Sequence, residues 1–265
     1  MNQIGFHDKL LISNVKAYER RRYLFGPEQN YIWRSGIKHD CTKVMELKIV
    51  GETLQNGFGE TVDIEDTLLF PLFKSSDISN GRLNPRGFML VTQQTVREDT
   101  TRIRMKAPKT WAYLEAYASW LQKRSSSIYR NRPAFSIFGV GDYSFTSWKV
   151  SISGFYKKIN FTKIGPIDQR PAVFDDTVYF LSCRNEEEAD FLFSLLNSEA
   201  AQEFYSSMIF WADKRPITID LLKRLSIKKL AVHLGQGKTY EGFNRENNED
   251  KDFSMNQIPL LEGIG

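Results

Sequence analysis

The stretch RPAFSIFGVGDYSFTSWKVSISG, residues 132–154, is the segment around which the rest of the predicted fold is arranged. Pro133 excludes a helix at its start, because proline lacks an N–H and restricts the residue before it. Gly139 and Gly141 allow the backbone to take positive φ or to approach another surface closely. From Trp148 onward apolar and polar residues alternate, which predicts a half-buried strand. A polar, aromatic loop that leads into a strand is the usual anatomy of a recognition site on a rigid scaffold.

Composition limits the classes to which the chain can belong. Its 265 residues can bury a substantial core, and a net charge of +4 fits a polyanionic partner without requiring one. No run approaches the roughly 18 apolar residues of a membrane span, and no signal-peptide pattern opens the chain. The two cysteines, Cys41 and Cys183, lie far apart in sequence, so we expect no disulfide framework, no membrane partner and a cytoplasmic location.

Strands are predicted mainly in the first half of the chain, and helices enter after residue 110. The predicted strands are residues 44–50, 67–73, 88–92, 148–153, 158–164, 173–182 and 227–232. The predicted helices are residues 111–124, 186–196, 199–208 and 219–225. Regular βαβ alternation is missing, so we expect an α+β fold in which helices pack on a curved mixed or antiparallel sheet.

Composition shifts suggest three parts. Residues 1–30 are charged and are interpreted as a lead-in or linker segment. Residues 31–234 carry the predicted strands and helices and are expected to form the main domain. Residues 235–265 are rich in Gly, Asn, Glu and Lys and are predicted to be a loosely ordered tail.

Catalytic patterns are scarce. His39, Asp40 and Cys41 are potential metal ligands, but adjacent residues cannot all face one ion, so we expect no metal site. Asp175 and Asp176 are interpreted as a turn or a structural hydrogen-bonding pair. The FGVGDY motif, residues 138–143, resembles the F-x-G-x-G loop of methyltransferases that use S-adenosylmethionine. The acidic residue two positions before that motif is missing, and a strand rather than a βαβ unit follows, so the glycines are expected to shape the loop.

Cationic residues lie at predicted loops and strand ends beside aromatic residues. Lysine and arginine neutralise phosphates, and hydroxyl groups fix the register of a protein on a duplex. The same pattern also fits a solvated surface over an aromatic core. The residues themselves leave these two interpretations equally open.

Three blocks favour the first interpretation: WRSGIKHDCTKVMEL at residues 33–47, PAFSIFGVGDYSFTSWKVSISGFYK at residues 133–157, and PAVFDDTVYFLSCRNEEEADFLFSLLNS with FWADKRPIT within residues 171–218. In this order they resemble the C-terminal specificity region of TaqI-class adenine-N6 DNA methyltransferases, which also occurs in fused restriction–modification enzymes. The resemblance covers most of residues 20–230. It implies a prokaryotic target recognition domain that binds double-stranded DNA and selects the site at which an adenine is flipped out and methylated.

The chain also departs from that family. The Asn-Pro-Pro-Tyr motif and the cofactor motif of the catalytic half are missing. The nearest string, at residues 83–86, lacks the second proline and the aromatic residue. We therefore expect that the chain is no enzyme by itself and holds no cofactor. Its expected partner is an adenine-N6 methyltransferase catalytic domain, fused or separate, which would bind S-adenosylmethionine.

The resemblance and the polar content together predict a set of DNA contacts. The predicted residues are Arg34, Ser35, Lys38, His39, Lys43, Arg130, Arg132, Tyr143, Ser144, Thr146, Lys149, Lys214 and Arg215. Lys214 and Arg215 precede a predicted helix cap and have an equally good structural interpretation.

Two other hypotheses remain open. The first is a protein-interaction module that docks a methylase or nuclease subunit without contacting DNA. The second is a small independent enzyme that uses Asp175 or Asp176 together with His39.

Overall fold

The computed structural model describes residues 4–7, 9–28 and 30–243. The strands found within these ranges are β1 (Gly5–His7), β2 (Leu10–Ile12), β3 (Arg34–Ser35), β4 (Glu46–Val50), β5 (Thr53–Gln55), β6 (Thr61–Val62), β7 (Leu69–Phe73), β8 (Gly87–Leu90), β9 (Trp148–Ser153), β10 (Thr162–Ile164), β11 (Val173–Phe174) and β12 (Val178–Cys183). The helices are α1 (Val15–Arg21), α2 (Thr42–Met45), α3 (Ser75–Ser79), α4 (Ile103–Lys106), α5 (Pro108–Ala116), α6 (Ala118–Gln122), α7 (Glu186–Leu196), α8 (Glu199–Met208), α9 (Ile219–Leu222) and α10 (Ile227–His233). The predicted α+β class is confirmed.

A four-stranded antiparallel sheet in the order β10-β9-β12-β3 forms the centre of the protein. Val150 and Ile152 of β9 pack under α7 and α8 in the largest apolar cluster. The opposite face of β9 lies under α3, where Thr162 donates its hydroxyl to the carbonyl of Ile78 at 3.2 Å. The prediction of a half-buried β9 is wrong, because helices cover both faces and Lys149 and Ser151 are buried as well.

A six-stranded sheet in the order β11-β7-β8-β4-β5-β6 lies beside the first. Its pairs are antiparallel, except for the parallel pair of β11 with β7. Helices α5 and α6 contribute Leu114 and Leu121 to the core on this sheet. Among the described strands, Pro71 has a neighbour on one side only, since β11 pairs only with Leu72 and Phe73. This is the sheet position in which proline is tolerated.

Helices α1, α7, α8 and α10 form the remaining part of the largest core. Asn185 and Thr218 begin α7 and α9 as predicted, by accepting hydrogen bonds from the backbone N–H groups of Glu188 and Leu221. The strand predicted at residues 227–232 is wrong, because this segment is α10. Ser226 caps it by accepting from the N–H of Lys229 at 3.3 Å, and the apolar residues recur at helical spacing.

The segments at both ends of the described chain pack on this core. Ile12, Tyr18 and Leu24, in the predicted lead-in, are buried in the same cluster as the helices. Residues 237–243 are helical and bury Tyr240, which differs from the loose order expected beyond residue 235. The rest of the predicted tail, residues 244–265, lies outside the described residues. The domain boundaries at residues 30 and 234 stay predictions.

Three backbone segments meet where the two sheets join. The N–H of Ile37 donates to the carbonyl of Phe174 at 2.7 Å, and Lys38 and Phe138 exchange two backbone hydrogen bonds of 2.9 Å each. Gly36 lies so close to the turn after β11 that an added Cβ would lie 2.1 Å from the carbonyl oxygen of Asp175. Gly139 has a φ of +69°, and its Cβ would lie 2.6 Å from the carbonyl oxygen of Gly36. The glycines of the central loop therefore allow backbone-to-backbone packing.

We expect Gly36→Ala to lower the free energy of unfolding by about 3 kcal/mol or more, because rigid backbone must shift to admit the methyl group. Urea denaturation measures this change. Gly242→Ala is the matched control, since an added Cβ there meets no atom within 4 Å and the residue lies in a helical segment. The control should change stability by no more than about 1 kcal/mol, in the stabilising direction. Equal effects of the two substitutions would contradict the packing argument.

Candidate nucleic-acid interface

A cleft of about 690 Å³ lies between the loop that follows β3 and the end of α6. Four cationic side chains and three hydroxyl groups line it, together with one aromatic ring and one carboxylate. The lining side chains include Lys38, Asp40, Thr42, Lys43, Trp120, Lys123, Arg124, Ser125 and Ser126. We call this the basic cleft. Cations and hydroxyls in this proportion suit a phosphate chain.

Two lysines of the basic cleft lie beside one indole ring. The ammonium of Lys43 is 5.4 Å from the ring centre of Trp120, and that of Lys123 is 5.5 Å from it. Lys43 also lies 5.1 Å from the ring centre of Phe58, which packs edge-to-face on Trp120. Ring quadrupoles attract ammonium groups without neutralising them. Within the part of the chain that the structure describes, neither lysine forms an ion pair, so both charges are available to an anion.

Arg124 supports the wall of the basic cleft. Its guanidinium stacks on Tyr129 at 3.7 Å and donates to the carbonyl of Ser136 at 2.7 Å. A longer bond of 3.3 Å reaches the carbonyl of His39. Burial of this guanidinium lowers the pKa of Arg124. Arg124 therefore ties the end of α6 to the loop after β3.

The structure places four of the predicted cations at or beside the basic cleft. Lys38 and Lys43 line this cleft, and Arg130 is exposed four residues after Ser126, the last lining residue in the chain. The guanidinium of Arg132 lies 5.7 Å from the ring centre of Phe138, and that ring packs on Tyr129. The DNA contacts of all four remain a prediction, and the geometry leaves each side chain at least partly exposed.

Three of the predicted contact residues are buried rather than exposed, and their DNA contacts stay predictions. Lys149 is only 1% exposed, and its ammonium donates to the carbonyls of Thr146 at 2.5 Å and Ala172 at 2.9 Å. Ser144 is 3% exposed within a turn of the central loop. His39 is 5% exposed and bonds inward. Alternation made Lys149 look like a surface residue, but α3 covers that face of β9.

The remaining predicted residues lie in two other places. The guanidinium of Arg34 lies 4.4 Å from the ring centre of Tyr143, and both side chains are half-buried. Ser35 is the next residue of β3, and the hydroxyl of Thr146 donates to the carbonyl of Tyr143 at 3.4 Å. Lys214 and Arg215 are exposed before α9, and the guanidinium of Arg215 lies 4.4 Å from the ring centre of Phe155. The geometry does not bring these residues into the basic cleft.

A second cleft of about 420 Å³ lies on the other side of the same loop, and we call it the acidic cleft. Its acidic and basic lining residues are His39, Asp40, Glu46, Lys74, Asp175 and Asp176. The sequence hypothesis of a site built from His39 and the Asp175–Asp176 pair therefore has its residues together. Among the described residues, no group of three or more acidic, histidine or cysteine side chains could hold a metal ion.

Hydrogen bonds within the acidic cleft are structural. His39 Nδ1 accepts from the N–H of Cys41 at 3.2 Å, and its Nε2 faces Glu46 at 3.3 Å. Asp175 accepts from the N–H of Thr177 at 3.1 Å, which confirms the predicted turn. Burial raises the pKa of Asp175. Burial also acts to raise the pKa of Glu46, but hydrogen bonds from His39 and Lys74 outweigh it and lower that pKa.

Several residues of the two clefts are missing from the contacts that the sequence predicts. Among them are Trp120 and Lys123, which lie in the predicted helix 111–124, and Lys74, which follows the predicted strand 67–73. The available signal was the WLQKR string at residues 120–124, in which an aromatic residue is followed by two cations. It becomes a site only because α6 ends opposite Lys38 and Lys43.

No family model matches the chain. A Type II methyltransferase, M.NspV of Nostoc sp. (strain ATCC 29411 / PCC 7524), is 50% identical over 230 residues, which cover 86% of this chain and 48% of the relative. The chain is thus related to a Type II methyltransferase and spans about half of that relative's length. No helix in the described ranges has the length and apolar character needed to cross a bilayer.

This relationship corrects one expectation. The missing motifs suggested that the chain is no enzyme by itself. Instead, 86% of its residues align at 50% identity with a protein named as a methyltransferase, and this alignment overturns that expectation. The absence of two short motifs therefore does not exclude an enzyme.

The burial of Lys149 gives a testable dependence of stability on pH. Burial lowers the pKa of Lys149 to about 7 in the folded protein, whereas an unfolded lysine titrates near 10.4. Between these values the unfolded state binds more protons, so this residue makes stability rise with pH, by at most about 1.4 kcal/mol per unit. Lys149→Met should flatten the rise in unfolding free energy between pH 7 and 9. Lys228→Met, at an exposed position of α10, should keep the wild-type slope. Identical slopes in all three proteins would refute this interpretation.

Proposed function

We propose that this protein is a site-specific DNA methyltransferase of the adenine-N6 class and that residues 31–234 recognise its target sequence on double-stranded DNA. The single observation that carries the DNA-binding part is the basic cleft. The relationship of the chain to a Type II methyltransferase supports the proposed reaction class. The adenine specificity and the TaqI-class domain type rest on the sequence resemblance.

Charge and position both favour DNA at the basic cleft. Lys43 and Lys123 form no ion pair among the described residues, and both ammonium groups lie within 5.5 Å of the ring centre of Trp120. Thr42, Ser125 and Ser126 add hydroxyl donors along the same cleft. Cations that release counterions from DNA supply most of the non-specific affinity, and hydroxyls fix the register.

A specific observation also supports the alternative of a protein-interaction module. A groove of about 580 Å³ runs along the six-stranded sheet and is lined by Ile49, Leu54, Pro71 and Phe88, among others. Ile49 is 48% exposed. An exposed apolar surface of this kind suits a protein partner, such as a methylase or nuclease subunit. The two functions differ in the salt dependence of duplex binding.

The proposed reaction requires S-adenosylmethionine as methyl donor, and the central loop does not fit it. The carbonyl oxygen of Gly36 fills the space beside Gly139 that a cofactor would need, and Val140 is buried. We assign no described residue to the cofactor.

A double variant tests the DNA-binding proposal. We expect Lys43→Ala combined with Lys123→Ala to weaken duplex binding and to reduce the slope of log affinity against log salt by about 2, because two phosphate contacts are lost at about 0.9 each. A salt titration with the full chain and a fluorescent duplex measures both quantities.

Lys228→Ala is the matched control, because this exposed lysine lies on α10 and is not among the residues that line the basic cleft. It should leave the slope unchanged. Wild-type binding that is absent or independent of salt would rule out the proposal and favour the protein-interaction module. An equal slope for double variant and wild type would place DNA elsewhere on the surface.

A further inference from the structure

Lys38, Asp40 and Asp176 form a charged triad on the ridge between the two clefts. The ammonium of Lys38 lies 2.7 Å from a carboxylate oxygen of Asp40 and 3.7 Å from one of Asp176. Their side chains are 35%, 27% and 33% exposed, so each group is accessible yet held. Asp40 borders both clefts, Lys38 lines the basic cleft and Asp176 lines the acidic one.

The backbone around the triad is rigidly held. Lys38 exchanges two backbone hydrogen bonds with Phe138, and its carbonyl also accepts from the hydroxyl of Tyr129 at 3.3 Å. Asp176 lies in the turn that is closed by the hydrogen bond from the N–H of Thr177 to the carboxylate of Asp175. Gly36 allows the two backbone segments to pack in direct contact, because it has no Cβ. The triad is therefore ordered before any ligand binds, which lowers the entropic cost of a specific contact.

The charges of the triad do not suit phosphate. Two carboxylates beside one ammonium leave a net negative charge next to the cations of the basic cleft. A carboxylate near a DNA backbone is repelled by phosphate and gains only where the DNA offers an N–H donor. In the major groove such donors are the amino groups of cytosine and adenine, and neighbouring base atoms accept from lysine.

We propose that this triad reads base edges, while Lys43 and Lys123 hold phosphates. This inference rests on the proposed function and divides its surface into a sequence-reading part and a sequence-neutral part. Asp40 and Asp176 accept hydrogen bonds from the amino groups of cytosine or adenine. Lys38 donates to an acceptor on the same or the adjacent base pair.

Substitutions in the triad should change the discrimination between duplexes, whereas substitutions of the phosphate-binding lysines should change the affinity for all duplexes. Asp176→Asn removes a repulsive charge, so affinity for unrelated duplexes stays equal or rises. The neutral amide donates as well as accepts, so discrimination between bases falls. We expect the affinity ratio of selected over scrambled duplex to drop by about fivefold or more, the scale of one base contact. Asp40→Asn should act likewise.

The experiment uses the full 265-residue chain and a pool of duplexes with a randomised central segment. Wild-type protein selects the preferred duplex, and dissociation constants for that duplex and a scrambled one are then measured for each variant. Lys43→Ala serves as the matched phosphate variant and should weaken both duplexes by the same factor. Urea midpoints confirm that each variant is folded.

Three results would count against the inference in distinguishable ways. An unchanged affinity ratio in both Asp→Asn variants overturns the base-reading role but leaves the proposed function intact. Equal losses of affinity for both duplexes show that the triad is merely structural, and they overturn it too. Failure of the wild type to bind any duplex in a salt-dependent manner overturns the proposed function and this inference together.

Discussion

The close contact of Gly36 with the turn at Asp175 is the constraint on which the rest of this structure depends. A Cβ there would lie 2.1 Å from a carbonyl oxygen, so only glycine lets these two backbones touch. The contact links the loop after β3 to the turn between β11 and β12, and Gly139 brings the central loop against the same point. It therefore joins the two sheets and fixes the loop that separates the two clefts.

Burial on both faces of β9 explains why its polar residues are not surface contacts. Lys149 satisfies its ammonium with two backbone carbonyls, and the cost of burying the charge appears as a lowered pKa. Ser151 donates to the carbonyl of Thr162 at 3.1 Å in the same layer. The exposed cations Lys43 and Lys123, which form no ion pair among the described residues, lie outside this sheet.

The loop between the two clefts gives neighbouring surfaces opposite charge. On one side Lys43 and Lys123 lie beside aromatic rings, which attract ammonium groups without neutralising them. On the other side Glu46 is engaged by Lys74 at 2.8 Å and by His39. A duplex offers both phosphates and base edges, so one rigid ridge between such surfaces suits affinity and selectivity at the same time.

Local signals in the sequence by themselves determined the fold class, the caps at Asn185 and Thr218, and the turn at Asp175, because each depends on residues within a few positions of one another. The resemblance blocks also pointed to a relationship with methyltransferases. Only the tertiary structure decided that residues 227–232 are helical, that Lys149 is buried, and that Trp120 and Lys123 meet Lys43 in one cleft. These outcomes depend on which elements pack on each other across long stretches of chain, and periodicity along one segment carries no information about the partner that covers it.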